Sequence, residues 1–129
     1  MAAETTVANR VRVLIADMPE LWVELLTRLI NRQPDMVVSA TARGEVQVLM
    51  EAAKGVDIVV LGTHQPDTPP GICSHLLSEF PAVKILVFAL GADSFTVYWL
   101  GLRRKRLKVT NGDHVARAIR AVHKLDAFS

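Results

Sequence analysis

Apolar residues in this chain fall into two kinds of run that alternate from the first strand to the last helix. Short continuous runs rich in β-branched residues are typical of strands buried on both faces of a sheet. They predict five strands, at residues 11–16, 36–40, 56–61, 83–88 and 107–109. Runs with apolar residues three or four apart are typical of amphipathic helices. They predict five helices, around residues 21–30, 46–53, 72–77, 93–100 and 115–122.

The regular alternation of strand and helix predicts an α/β architecture. Strands joined through helices pair in parallel through right-handed crossovers, and the helices cover both faces of the sheet. Binding sites in such sheets form where loops leave the carboxyl ends of the strands. In this chain those ends fall after Ala16, around Gly62, around Ala89 and just past Leu107.

Composition limits the class of protein. The chain has 129 residues, 50% of them hydrophobic and 22% charged, which indicates one folded domain and excludes intrinsic disorder. We expect a loose leader at residues 1–9, a domain at 10–125 and a short tail at 126–129. A single cysteine, Cys73, cannot form an internal disulfide and favours a reducing compartment. No signal peptide or spanning segment is visible, so we expect a cytoplasmic protein without membrane contact.

Several short motifs in a fixed order resemble the receiver domain of response regulators in two-component signalling. Each motif is weak alone, but their joint order covers residues 10 to 124. The residues that carry the resemblance are Val13-Leu14-Ile15-Ala16-Asp17, Gln33-Pro34-Asp35, Val59-Val60-Leu61, Pro66, Gly71, Lys84-Ile85-Leu86-Val87, Gly101, Lys108 and Ala118-Ile119-Arg120-Ala121-Val122.

The resemblance implies both a fold and a chemistry. The fold is a three-layer (βα)5 flavodoxin-like doubly wound fold, with a five-stranded parallel sheet in the order 2-1-3-4-5 and helices on both faces. The chemistry is phosphoryl transfer from a histidine kinase to an aspartate. It uses that aspartate as nucleophile, an acidic pair for Mg²⁺, a Thr or Ser, and a Lys.

This chain departs from the family at most of those positions. Gly62 stands where the family has its phosphoacceptor aspartate, Met18 replaces the second acid, and Ala89 replaces the Thr or Ser. A soft thioether does not replace a carboxylate as a ligand of Mg²⁺. Other nearby oxygen donors, Thr63 and Asp67, are displaced from the acceptor position. We call the remnant the vestigial pocket, made of Asp17, Met18, Gly62, Thr63, Ala89 and Lys108.

The surviving charged residues allow two interpretations. Asp17 and Lys108 either pair with each other as a structural ion pair or leave Lys108 as a lone cation that binds a small anion. No metal site is expected, because His64, His75, His114 and His123 lack ligand spacing and no Cys-x-x-Cys is present. We therefore expect neither a metal nor another cofactor, and no catalytic residue.

A basic run follows two aromatic residues near the predicted sheet edge. Tyr98 and Trp99 precede Arg103, Arg104, Lys105 and Arg106. Aromatic and arginine clusters are enriched at interfaces, and by resemblance these six residues lie on the face that binds a partner or a second copy as a homodimer. The alternative interpretation is a solvated edge strand whose charges prevent aggregation.

Three functional hypotheses follow from the sequence. The first is a non-enzymatic pseudo-receiver that no longer accepts a phosphoryl group and acts through protein–protein interaction. The second is a switch that senses a small anion or metabolite in the vestigial pocket around Lys108. The third is nucleic-acid binding through the basic run, which the small net charge of +2 disfavours.

Overall fold

A computed structural model describes residues 10–64, 70–90, 94–99, 103–108 and 112–124 of the chain. The predicted leader, at residues 1–9, and the predicted tail, at 126–129, lie outside these ranges. In the part of the chain described, no helix combines the length and the apolar character needed to cross a membrane.

The first four predicted strands and their helices are confirmed. Strands β1 to β4 pair in parallel in the order 2-1-3-4, because β1 lies between β2 and β3, and β4 joins β3. The strands are β1 Val11–Ala16, β2 Met36–Ala42, β3 Ile58–Thr63 and β4 Lys84–Ala89. The helices are α1 Glu20–Asn31, α2 Glu45–Ala53, α3 Gly71–Glu79 and, at the end of the chain, α4 Gly112–His123.

The predicted helix at residues 93–100 is wrong, and so is the five-stranded, all-parallel sheet. This segment forms β5, Ser94–Trp99, which pairs antiparallel with β4. The next strand, β6, Arg103–Lys108, pairs antiparallel with β5. The sheet therefore has six strands in the order β2-β1-β3-β4-β5-β6. The predicted strand at 107–109 overlaps only the end of β6.

The residues of β5 explain why a strand forms there. Phe95 and Val97 belong to one core cluster, whereas Tyr98 belongs to the cluster on the opposite face of the sheet. This alternation has the two-residue period of a strand. Aromatic and β-branched side chains also favour strands, and a helix in this place would bury only one of its sides.

The core has two layers, one on each face of the sheet. Buried residues of α1 and α4 pack on one face, and those of α2 and α3 pack on the other. This confirms the predicted three-layer arrangement of helix, sheet and helix. Cys73 of α3 is fully buried in the second layer, and burial raises the pKa of its thiol to about 12.

Two polar links hold α4 against the rest of the domain. The Arg120 guanidinium donates to both oxygens of Asp35, at 2.7 and 3.0 Å, and to Gln33 Oε1 at 2.6 Å. The hydrogen bonds from Arg120 hold the pKa of the Asp35 carboxyl below its usual value. At the other end, Lys84 Nζ donates to the carbonyl of His123 at 2.7 Å. Lysine here satisfies a carbonyl in the last turn of α4, which has no partner within the helix.

Candidate functional site

Gly62, which the resemblance to receivers puts at the phosphoacceptor position, lies in β3 opposite Phe88 of β4. A Cβ atom built on Gly62 would lie 3.0 Å from Met18 Sδ, 3.1 Å from the backbone oxygen of Asp17 and 3.5 Å from Leu90 Cδ1. Carbon atoms in favourable contact are about 3.5–4.0 Å apart. The side of Gly62 that would carry a side chain is therefore closed, and there is no open acceptor site beside it.

Met18 and Leu90 together fill the space beside Gly62, and we call this pair the apolar plug. Met18 is only 1% exposed and belongs to the core cluster between the sheet and helices α1 and α4. Leu90 packs against the same cluster. An unbranched methionine adapts well to an irregular gap. The substitution of the family's second acid thus gives the domain a core residue in place of a metal ligand.

Asp17 survives from the family pattern, but its side chain is hydrogen-bonded outside the pocket. Its Oδ1 accepts a hydrogen bond from the backbone N–H of Gly44 at 2.8 Å, directly before α2. Its backbone N–H donates to the carbonyl of Ala42 at 3.0 Å. Asp17 has a φ of +48°, a left-handed conformation that aspartate tolerates better than most residues. A carboxylate beside the N-terminus of α2 is also favoured by the helix dipole.

One more hydrogen bond joins the loop after β1 to the loop after β2. Arg43 Nη2 donates to the carbonyl of Met18 at 2.8 Å. With the two bonds of Asp17, three hydrogen bonds therefore hold the backbone on both sides of the apolar plug. The backbone next to Gly62 is consequently fixed, and the closure around Gly62 does not depend on one side chain alone.

Lys108 lies at the end of β6, with Ser94 as its partner in the register. In the sheet order, β3, β4 and β5 separate β6 from β1. Neighbouring strands are about 4.8 Å apart, so four spacings place β6 roughly 19 Å from β1. This strand order does not support the predicted Asp17–Lys108 ion pair, which stays a prediction.

Two further residues of the vestigial pocket lie at the carboxyl ends of neighbouring strands. Thr63 ends β3 and is the register partner of Ala89, which is buried at the end of β4. The backbone of Thr63 accepts a hydrogen bond from Leu90 N at 2.8 Å. Asp67, the displaced oxygen donor, lies outside the described residues. The vestigial pocket is thus brought together around Gly62 without Lys108.

An open cavity of about 460 Å³ lies over the carboxyl ends of β1 and β2. Its lining includes Met18, Glu20, Arg43 and Gln47, so it borders the apolar plug on the side of α1 and α2. In the described ranges, no group of three or more His, Cys, Asp or Glu side chains could hold a metal ion.

The aromatic residues of the predicted interaction surface belong to the core. Tyr98 is 2% exposed and Trp99 is 5% exposed, both in β5. The structure therefore removes these two rings from any exposed surface. Arg103, Arg104, Lys105 and Arg106 follow in β6, at the edge of the sheet.

Helix α1 carries an exposed apolar patch. Leu26 and Ile30 are buried, but Leu21 and Leu25 are 65% and 48% exposed. Trp22 is half-exposed, with one edge in a T-shaped contact with Phe88 at 4.9 Å between ring centres. The adjacent pair Leu25-Leu26 is the sequence signal, because two neighbouring residues of a helix do not face the same side.

Comparison with known proteins gives a partial match to a curated relative. No protein-family model matches the chain. Over 82 residues the chain is 40% identical to a protein-glutamate methylesterase/protein-glutamine glutaminase 2 from Anaeromyxobacter dehalogenans (strain 2CP-C). The match covers 61% of this chain and 24% of that protein, so the chain spans about a quarter of the relative's length. Together with the α/β fold, this similarity supports a receiver-like domain of two-component signalling.

Proposed function

We propose that this receiver-like domain accepts no phosphoryl group and acts, without catalysis, by binding another protein in two-component-type regulation. The observation that carries the proposal is the closed space at Gly62. A side chain there would meet Met18 Sδ at 3.0 Å and a fixed backbone oxygen at 3.1 Å. The similarity to a relative over 82 residues supports the signalling context. A reducing, cytoplasmic location fits the buried free thiol of Cys73.

Transfer of a phosphoryl group to this domain would need groups that the site does not offer. The acceptor must be a nucleophilic carboxylate, and Mg²⁺ needs oxygen ligands near it. The side chains beside Gly62 are the thioether of Met18 and the aliphatic chain of Leu90. Asp17, the carboxylate that directly follows β1 and is part of the described chain, accepts a hydrogen bond from Gly44. The residues at this site therefore favour a binding function over phosphoryl transfer.

The proposal is tested by exposure of the protein to acetyl phosphate and Mg²⁺, followed by measurement of the intact mass. We expect no phosphoryl adduct, while a phosphorylatable receiver treated in the same way gains one. A stoichiometric adduct that disappears in the Asp17→Asn variant would overturn the proposal, because it would show that a carboxylate at this site accepts phosphate. An adduct on any other residue would overturn it equally.

The hypothesis of a small-anion switch around Lys108 has less support. Lys108 is in a strand that is separated from β4 by β5, and the apolar plug occupies the space beside Gly62. The cavity of about 460 Å³ lies over β1 and β2, at the other end of the sheet order. A screen of phosphorylated metabolites by thermal shift distinguishes the two hypotheses. A ligand that stabilises the protein, but not its Lys108→Ala variant, would favour the switch.

A further inference from the structure

The small net charge of this protein hides a strong separation of charge along the chain. Residues 103–124 contain eight of the 15 Lys and Arg residues but only one of the 13 Asp and Glu residues. That segment carries a formal charge of +7, and the rest of the chain carries −5. A net charge of +2 is therefore a poor guide to what this protein attracts, since fields act locally.

The fold places the densest part of this positive segment, β6, at one edge of the sheet. β6 is the last strand in the sheet order, and within the described ranges it pairs only with β5. Five of its six residues are basic. We call β6 the basic edge.

The register places successive residues of β6 on alternate faces of the sheet. Arg104 and Arg106 stand opposite Tyr98 and Thr96, whereas Lys105 stands opposite Val97. Residues directly opposite each other in an antiparallel pair share a face, and successive residues alternate between faces. A binding partner that contacts only one face would therefore meet only about half of these charges. A strand laid alongside β6 would meet all of them.

We propose that β6 is a docking edge for an extended acidic segment of a partner protein, which adds to the sheet as a seventh strand. This proposal deepens the proposed function, on which it rests, by naming the chemical class of the partner. An edge strand presents backbone N–H and C=O groups that an added strand can pair with. Acidic residues opposite the bases of β6 supply the selectivity, because opposite charges across a strand pair stabilise it.

The same charges disfavour pairing of β6 with strands that are themselves basic. Two copies of β6 would place like charges opposite each other, which destabilises a strand pair. The edge is thus protected against self-association and remains open to an acidic sequence. Rejection of one partner and acceptance of another by charge is a common basis of specificity.

Nucleic acid fits the basic edge less well than an acidic peptide does. Proteins that bind single strands stack bases on aromatic side chains. Tyr98 and Trp99, the aromatic residues nearest to β6 in sequence, are buried. Contacts to phosphates alone would leave the charges on one face of β6 unused. Binding to an oligonucleotide is therefore an outcome that the test must separate from binding to a peptide.

The test uses fluorescent peptides and the full chain. An acidic peptide of consecutive Glu residues, which carries carboxylates on both faces of an added strand, should bind in low salt, and its affinity should fall as salt is added. A peptide of equal charge with proline at alternate positions should bind much more weakly, because proline cannot donate to a strand ladder. A Lys-Val peptide should not bind. Equal binding of the proline peptide would overturn strand addition, and so would preferential binding of an oligonucleotide.

Charge reversal locates the binding surface. The Arg104→Glu/Arg106→Glu variant should weaken peptide binding about tenfold or more, since two attractive pairs become repulsive. The Arg28→Glu/Arg32→Glu variant changes the charge equally on the exposed side of α1 and should leave the affinity unchanged. If both variants lose affinity alike, binding is not specific to the edge and the proposal fails. The neutral Arg104→Gln/Arg106→Gln variant gives the same comparison if charge reversal disturbs folding.

Amide hydrogen exchange provides a direct readout of strand addition. The outward-facing N–H groups of β6, which do not pair with β5, should become protected when the acidic peptide binds. Absence of protection at these amides, despite binding, would overturn the proposal. The intact mass after acetyl phosphate treatment is measured on the same protein. Failure of peptide binding without a phosphoryl adduct therefore refutes the docking edge alone, while an adduct refutes the proposed function.

Discussion

Replacement of Gly62 with alanine tests whether the acceptor position is closed. The added methyl group would lie 3.0 Å from Met18 Sδ and 3.1 Å from the backbone oxygen of Asp17. The methionine side chain can move. The backbone oxygen cannot move as easily, because Asp17 is held by hydrogen bonds to Ala42 and Gly44. At least one of the two close contacts must therefore persist in the variant.

Two opposing effects set the size of the change. Alanine restricts the unfolded chain more than glycine does, which stabilises the fold by about 0.4–1 kcal/mol. Insertion of a methyl group into a well-packed region costs about 1–3 kcal/mol. The second effect is larger, so the free energy of unfolding should fall by about 1 kcal/mol. For a chain of this length, that corresponds to a decrease in Tm of about 2–8 °C.

Urea unfolding followed by circular dichroism measures this difference. Gly71→Ala is the matched control, because a Cβ atom on Gly71, the first residue of α3, would meet no atom within 4 Å. That variant should be as stable as the original protein or slightly more stable, since alanine favours helices. In a Met18→Ala background, Gly62→Ala should cost less, because the contact with sulfur is gone.

The reasoning is refuted if Gly62→Ala is as stable as the original protein. It would then follow that the space beside Gly62 is open and that position 62 lacks only a carboxylate. Only the residue type at this position would then prevent phosphorylation, and an engineered Gly62→Asp variant would be expected to fold without loss of stability.

Two further predictions concern titratable groups in the rest of the domain. The lowered pKa of Asp35 means that its bonds to Arg120 stabilise the fold fully above the ordinary value of 3.8 and are lost as the pH falls through the folded value. Asp35→Asn should thus lower the free energy of unfolding at neutral pH by less than about 1 kcal/mol, because the side chains of Asp35 and Arg120 are both partly exposed. If the variant were still less stable than the original protein in strong acid, this explanation would be contradicted. The pKa of Cys73, raised to about 12 by burial, predicts that iodoacetamide reacts far faster in urea than with the folded protein. Equal rates in the two conditions would show that the thiol is accessible.

Much of the fold could be predicted from local patterns. β1 and β3 are mostly apolar, β-branched runs, and α4 has a clear stripe of Val115, Ile119 and Val122. In each case the period of the apolar residues matches one type of element. The segment at residues 94–99 could not be assigned in this way, because apolar residues there line both faces. Whether it forms a helix or a strand depends on the free edge of β4, which only the assembled sheet presents.

The candidate site, like the fold, could be predicted from the sequence only in part. The sequence identifies Gly62, Met18 and Ala89 as substitutions at the positions that carry the family's chemistry. It does not show that Met18 fills the space beside Gly62, or that Asp17 bonds to Gly44. Both depend on residues far apart in the chain that meet only when two loops pack together.

The order of the residues sets which chemical groups this protein possesses and the periods at which its apolar residues recur. Those properties are local, so they predict the layered α/β architecture and, through the resemblance to receivers, a glycine at the acceptor position. The tertiary structure alone decided that β5 enters the sheet beside β4, which moves Lys108 away from the old pocket and places the basic strand β6 at an edge. These outcomes arise from the pairing of distant backbone segments, and no single stretch of sequence contains that information.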